Sequence, residues 1–390
     1  SQAPQFIHSS VIIIAIAFSF SNFAVAKITP KPFITKYRMN LQQRIKAFVK
    51  LGEFLSQFSN ETIQKKDSIE CNDLFFDGFK HQLKLAEEHN GWFTKENMAF
   101  AFKGWSENLT IENLNHWLEP YKINIKTPKN VAIIMAGNIP LVGFHDFLSA
   151  LITGHYALVK QSSNDKYLLP YLAKYLEYVE PRFKGTITFT EDKLENFDAV
   201  IATGSDNTAR YFEYYFKGKP SIIRNNRNSV AVLNGQESLE ELQALSEDIF
   251  RYYGLGCRNV SKLFVPQNYK FDTFFESIYH WHPIINKAKY ANNYDYNKAV
   301  YLMSEFDMLE NGFLMIKEDE SFSSPIATVF YEFYNSENQL KEKLISEKNK
   351  IQCIVSKGFI ENEILFGETQ KPKLWNYADD VNSIEFLLAI

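Results

Sequence analysis

Cysteine is scarce in this chain of 390 residues: Cys71, Cys257 and Cys353 are scattered, odd in number and form no Cys-x-x-Cys pair. That excludes a disulfide framework and a thiolate zinc site, and it fits a reducing, cytoplasmic location. Basic runs are missing as well. The net charge is −4 and no stretch concentrates Lys and Arg, so a nucleic-acid partner is excluded. His280 and His282 have the spacing to share one face of a strand, but no third ligand lies near in sequence, and no metal is expected. The apolar stretch Val11 to Phe20 is too short for a stable membrane span. There are no internal repeats and no low-complexity segment.

What is present is a globular balance, 45% hydrophobic and 23% charged, which rules out an intrinsically disordered chain. The length exceeds what one core organises, so two domains are expected. The 34 Phe and 21 Tyr are first of all core material; an apolar pocket for a greasy substrate is the functional alternative. Near the start, Ala24-Val25-Ala26 resembles a signal-peptidase site, yet no basic region precedes it. The first Met is Met39, and a well-patterned amphipathic helix follows it. Residues 1–38 are therefore read as an upstream or non-native extension, with a signal peptide as the alternative.

Residues 40–125 read mostly as helices. Val131 to Met135 is then a buried-type strand, broken by Gly137, with Pro140 where a first helical turn tolerates proline. Tyr156 to Val159, Thr186 to Thr190 and Ala199 to Ala202 follow as strands, with helices over Lys166 to Tyr178 and Asn207 to Phe216. This alternation predicts a parallel sheet with crossover helices, which binds ligands at the carboxyl ends of its strands. Three loops there stand out: Gly137 to Pro140, Lys160 to Ser163, and Thr203-Gly204-Ser205. After a strand at Ser229 to Leu233, Ser238 and Glu241 form a capping box for a helix that Gly254 is placed to end. Cys257 then sits on a tight turn before a strand at Lys262 to Val265. Gly254 and Gly256 leave room for a ligand, and Arg258 is a neighbouring cation that favours thiolate. Cys353 lies in an apolar strand-like run and reads as core.

Four short motifs carry a resemblance. Gly254-Leu255-Gly256-Cys257 with Lys262 resembles the catalytic-cysteine segment of aldehyde dehydrogenases. Ala136 to Pro140 resembles the loop bearing that family's oxyanion asparagine, here Asn138. Ala157-Leu158-Val159-Lys160 resembles the strand ending in the cofactor-ribose lysine, and Ala202-Thr203-Gly204-Ser205 resembles the cofactor-binding Gly-Ser turn. All four occur in the family's order. Within that superfamily, Tyr253 to Lys262 and Phe366 to Asp380 are similar to the LuxC-type fatty acyl-CoA reductases associated with bacterial luminescence. The resemblance implies an aldehyde-dehydrogenase-like α/β fold: a doubly wound parallel-sheet cofactor domain (39–230) and a second α/β catalytic domain (231–365). Residues 366–390 would return to the cofactor domain or an oligomer interface.

The resemblance also implies a chemistry, the reduction of a long-chain acyl-CoA or acyl-protein thioester to fatty aldehyde. Cys257 would be the nucleophile and Asn138 the oxyanion donor. Lys160, Ser163, Thr203, Gly204 and Ser205 would hold a nicotinamide cofactor. Two departures refine this. Ile223 stands where acid-forming relatives carry a glutamate base, and without that base hydrolysis of a thioester intermediate is slow. Ser163 stands where the family has a ribose-binding glutamate, and a serine there does not repel a 2′-phosphate, so NADPH is expected, with NADH open. Ala209 replaces the second glycine of the Gly-Ser turn. His145 reads as a packing or surface residue, with proton donation to coenzyme A conceivable. Relatives imply a homo-oligomer and an acyl-transferring protein partner. The competing functions are cofactor-dependent aldehyde oxidation to acid, non-redox acyl transfer through Cys257, and non-catalytic acyl binding.

Overall fold

A hydrophobic face at helical spacing organises the first part of the chain. In the computed structural model, which describes residues 39–60, 62–204 and 206–390, Asn40 and Gln43 form a capping box that starts α1 (Leu41–Leu55). Its apolar residues Phe48, Leu51 and Phe54 are fully buried. Helices α2 (Asn72–His89), α3 (Lys95–Asn108) and α4 (Ile111–Leu118) complete this helical layer. Residues 1–38, including Val11 to Phe20 and Ala24-Val25-Ala26, lie outside the described residues.

The alternating part follows: β1 (Asn130–Ile134), α5 (Phe144–Thr153), β2 (Tyr156–Lys160), α6 (Leu168–Val179), β3 (Ile187–Phe189), β4 (Ala199–Thr203), α7 (Asp206–Tyr215) and β5 (Ser221–Arg224). The five strands form one parallel sheet in the order β3-β2-β1-β4-β5. β1 is central. The chain leaves it first toward β2 and β3, then toward β4 and β5, so the order reverses between β1 and β4. At such a reversal the loops after adjacent strands diverge and open a crevice at the strands' carboxyl ends.

A second sheet has the order β11-β6-β7-β10-β9-β8, built from β6 (Asn228–Val232), β7 (Val260–Pro266), β8 (Met308–Glu310), β9 (Met315–Glu318), β10 (Thr328–Tyr334) and β11 (Ile351–Val355). It is parallel except for the β8–β9 pair. Helices α8 (Leu239–Phe250), α9 (Asp272–Ile278), α10 (Ala288–Met303) and α11 (Glu337–Ser346) belong to this half. Each sheet has its own main core cluster. The last helix, α12 (Ser383–Ala389), packs back on α5 beside the first sheet. The architecture is thus the doubly wound parallel sheet plus second α/β sheet expected. Many aromatic side chains serve the core: Phe54 stacks on Tyr175 with centroids 4.4 Å apart. No helix among the described residues is long and apolar enough to cross a membrane.

Three local readings are corrected. His280 and His282 do not lie on a strand; they belong to a 3-10 stretch, Tyr279–Asn286, continuing from α9. Pro140 does not open a helix. The chain turns there, Leu141 takes a left-handed φ of 57°, and α5 begins at Phe144. Finally, α8 ends at Phe250, before Gly254. Tyr252, Tyr253 and Gly254 are all left-handed, with φ of 56°, 60° and 74°. The cause is a side chain further on: Asn259 Nδ2 donates to Asp248 O at 3.0 Å and Arg251 O at 2.9 Å. It satisfies carbonyls at the helix end that would otherwise lack partners, so the chain is free to turn away.

Candidate active site

The bend carrying Cys257 is built by Asn259. Besides capping α8, its Oδ1 accepts from Gly256 N at 2.8 Å, and its own N–H donates to Gly256 O at 3.0 Å. The residue is almost wholly buried. A single amide thereby fixes both ends of the segment 251–259. Ser229 on β6 adds a third tie, its Oγ donating to Cys257 O at 3.0 Å. Cys257 itself remains open to solvent. Protein nevertheless crowds the sulfur closely, as at a site open on one side. Burial pushes the thiol up to about 11, against the downward pull of Arg258 and, more weakly, Arg224. Arg258 does favour the thiolate, as its adjacency suggests, but burial outweighs it, and its guanidinium also donates to Cys353 Sγ at 3.3 Å and Asn376 O at 3.2 Å. Cys353 is buried, as its apolar surroundings suggest.

The bend that carries the thiol and the first sheet's asparagine meet. Asn138, in the loop after β1, donates from Nδ2 to Leu255 O at 2.7 Å, two residues before Cys257. Its Oδ1 is buried with no partner. A side-chain amide has two N–H groups, so one donor remains after the bond to Leu255. The arrangement can therefore brace the cysteine bend and present a further N–H beside it.

Asp146, one turn into α5, forms a two-armed ion pair with Arg224 at the end of β5, both contacts at 2.8 Å. Both are buried, and Arg224 Nε has no partner. Next to Arg224 in sequence is half-buried Ile223. Burial lowers the pKa of His145, and its Nε2 donates to Leu374 O at 2.8 Å. Its ring packs on Trp117 and Tyr377, which makes it a packing residue.

The remaining candidates lie along the first sheet's carboxyl edge. Lys160 ends β2 and its Nζ donates to Asp192 O at 2.9 Å. Ser163 is exposed, with its carbonyl accepting from His89 Nε2 at 2.7 Å. Thr203 ends β4; Gly204 follows it and donates to Arg224 O at 3.3 Å. A Cβ on Gly204 would lie 3.0 Å from the Thr208 side chain, so the chain passes tightly over the start of α7. Ser205 lies outside the described residues. These groups, with the amides at the start of a ten-residue helix, are chemically suited to a ribose and a pyrophosphate. No cluster of three or more His, Cys, Asp or Glu suited to a metal occurs among the described residues.

Several groups that shape the site escaped the sequence reading: Asn259, Ser229, and Asp248. Asp248, wholly buried on α8, accepts from Gly367 N at 2.6 Å, Thr369 N at 3.0 Å and Thr369 Oγ1 at 2.7 Å. It ties down the segment that then runs past His145 and Arg258 to α12. Burial still outweighs these bonds and raises its carboxyl to about 6.

Comparison with known proteins gives consistent results. The acyl-CoA reductase (LuxC) family matches residues 114–277. The long-chain acyl-protein thioester reductase of Vibrio harveyi is 23% identical over 210 residues, covering 48% of this chain and 43% of that one. Its counterpart from Aliivibrio fischeri is 22% identical over 231 residues, covering 54% and 48%. The chain spans about half the length of the curated relatives it matches. Among solved structures, aldehyde dehydrogenase 21 from Physcomitrella patens, in complex with the reaction product succinate, superposes with a TM-score of 0.61 over 88% of this chain and 79% of that one, at 12% identity. A mutant of the indole-3-acetaldehyde dehydrogenase AldA of P. syringae, in complex with NAD+ and IAA, gives 0.59 over 82% and 72%, also at 12% identity. At such identities the likeness establishes the fold.

Proposed function

Because the chain belongs to the LuxC type within the aldehyde dehydrogenase superfamily, we propose that it reduces a long-chain fatty acyl thioester, on coenzyme A or a protein, to the fatty aldehyde. The observation that carries this reading is the meeting of Asn138 with the Cys257 bend, 2.7 Å to Leu255 O, across two separate sheets. In the reaction Cys257, as thiolate, attacks the thioester carbonyl. The free N–H of Asn138 holds the developing oxyanion, a contact worth about 3–4 kcal/mol in comparable sites. The carbonyl re-forms as the original thiolate departs, and a Cys257 acyl-enzyme remains. A nicotinamide cofactor, when bound, supplies the hydride that takes the acyl group to the aldehyde level. Lys160 and Ser163 would hold its ribose, and Thr203, Gly204 and Ser205 its pyrophosphate. Collapse of the resulting thiohemiacetal releases aldehyde and returns the thiolate.

Ile223 supports the thioester reading, since an aliphatic side chain cannot activate water against the acyl-enzyme. Ser163 supports NADPH over NADH, because it carries no charge to repel a 2′-phosphate. The test measures NADPH and NADH oxidation against acyl-CoAs of graded length, with labelled acyl-CoA used to trap the intermediate. Cys257→Ala should abolish labelling; undiminished labelling refutes the assignment. Acyl transfer without any change in cofactor absorbance would instead favour the non-redox reading, and carboxylate as the main product from aldehyde would favour the oxidase reading.

A further inference from the structure

The loop bearing Asn138 joins its own helix where Phe144 N donates to Leu141 O at 3.0 Å, and it is also tied to a neighbouring loop. Leu141, three residues on, is forced into a left-handed conformation, which a branched side chain rarely adopts. What holds it there is a carboxyl from the neighbouring loop: Leu141 N donates to Asp165 Oδ2 at 3.0 Å. Asp165 lies five residues beyond Lys160 and two beyond Ser163. Its own loop is internally braced, with Gln161 Nε2 donating to Asp165 O at 2.9 Å, Asp165 N to Ser162 O at 3.2 Å and Asn164 N to Ser162 Oγ at 3.2 Å. The two loops touch so closely that a Cβ on Gly137 would lie 2.6 Å from Ser162. Asp165 is buried, and its other oxygen, Oδ1, has no partner.

We propose that Asp165 is a positioning residue that locks the Asn138 loop to the Lys160–Ser163 loop, so that the oxyanion donor and the cofactor-side residues move as one unit. This rests on the functional reading above. A buried carboxyl with a single N–H partner is stable in place only while neutral. Burial raises it to about 7, with the Leu141 N–H opposing. The charged groups around it are directed elsewhere: Lys160 to Asp192 O, Lys166 over the Tyr167 ring, His89 to Ser163 O. Once ionised, the carboxylate gains hydration only if the loops part, and the Asn138 donor parts with them.

The experiment compares wild type with Asp165→Asn, which keeps an acceptor for Leu141 N but cannot ionise, and with Asp165→Ala, which removes it. Between pH 6 and 8 the ratio of wild-type kcat to that of Asp165→Asn should fall about tenfold, following the fraction protonated for a group near 7. Asp165→Ala should lose kcat at every pH while Cys257 alkylates at the wild-type rate, and the Asn variant should restore it. A flat ratio across that range, or equal kcat for Ala and wild type at pH 6, overturns the proposal. A readout without turnover separates it from the functional reading. The sign follows from a carboxyl raised in the folded state: its contribution is present below about 4 and lost as pH rises through about 7. The folding equilibrium constant of wild type relative to Asp165→Asn should therefore also drop about tenfold from pH 6 to 8. If no acyl thioester is reduced yet this drop is seen, the function fails and the lock stands; if reduction proceeds without the drop, the lock fails alone.

Discussion

Asn259→Ala should be the most damaging single change near the thiol that leaves the thiol itself untouched. In the folded chain this amide makes three bonds of 3.0 Å or less: from Gly256 N at 2.8 Å, to Arg251 O at 2.9 Å and to Asp248 O at 3.0 Å. Each is worth roughly 1 kcal/mol net, and a buried group left without a partner costs about 1–3 kcal/mol. Some of the freed carbonyls can reach water, so the loss is about 3–5 kcal/mol. With an unfolding entropy near 2.1 cal/mol/K per residue, a chain of this length loses about 4–6 °C in Tm. Activity should fall further than stability implies. The Gly256 N–H and the carbonyls of α8 then lose their common anchor, and a displacement of the thiol by about 1 Å costs roughly 100-fold in rate. Asn259→Asp should be no milder, since an ionised carboxylate would face the carbonyls of Asp248 and Arg251. Thermal melts and acyl-enzyme labelling, run side by side, check both parts. A Tm within 1 °C of wild type (well under the ~4 °C floor) with labelling at the normal rate would show that the bend holds its shape without this amide.

The remaining predictions concern the chemistry. Cys257, raised to about 11 in the free protein, should be alkylated by iodoacetamide at a rate climbing about tenfold per pH unit between pH 7 and 10; a plateau near neutrality would mean the thiolate is already formed. Ile223→Glu should increase carboxylate release from acyl-CoA by about 100-fold or more, as a newly placed general base does, and high-performance separation of acid from aldehyde reads it. Ser163→Glu should shift cofactor preference toward NADH, seen as a rise in KM for NADPH with KM for NADH lowered or unchanged.

Much of the scaffold was legible because its signals are local. Short apolar runs separated by amphipathic helices specify parallel strands joined by crossovers, and the loops after β1, β2 and β4 must then open on one edge. The capping box at Ser238 and Glu241 is present as read, since both partners lie within one turn. What could not be read depends on side chains reaching backbone far from their own position. Asn259 looks like a polar turn residue until the end of α8 is seen beneath it, eight to eleven residues back. Asp165 looks like a solvated loop aspartate until the loop after β1 closes over it.

Arg258 shows the same limit in electrostatic form. Adjacency in sequence placed a cation next to a thiol. The geometry sends that cation to a carbonyl of the C-terminal segment, where Asn376 accepts it, and to a different sulfur. The segment is itself held by Asp248 from beneath the same bend. Arg258, one of the groups that tune Cys257, is therefore oriented by residues 95 and 118 positions away. A thiol kept protonated by burial has low standing reactivity toward stray electrophiles. Its activation must come from whatever adds positive charge or a hydrogen-bond donor at the open side, which is the side where substrate and cofactor would arrive. On this argument, alkylation of Cys257 at pH 7.5 should accelerate when NADP+, with its cationic nicotinamide ring, is bound, and a rate unchanged at saturating NADP+ would place the activation elsewhere.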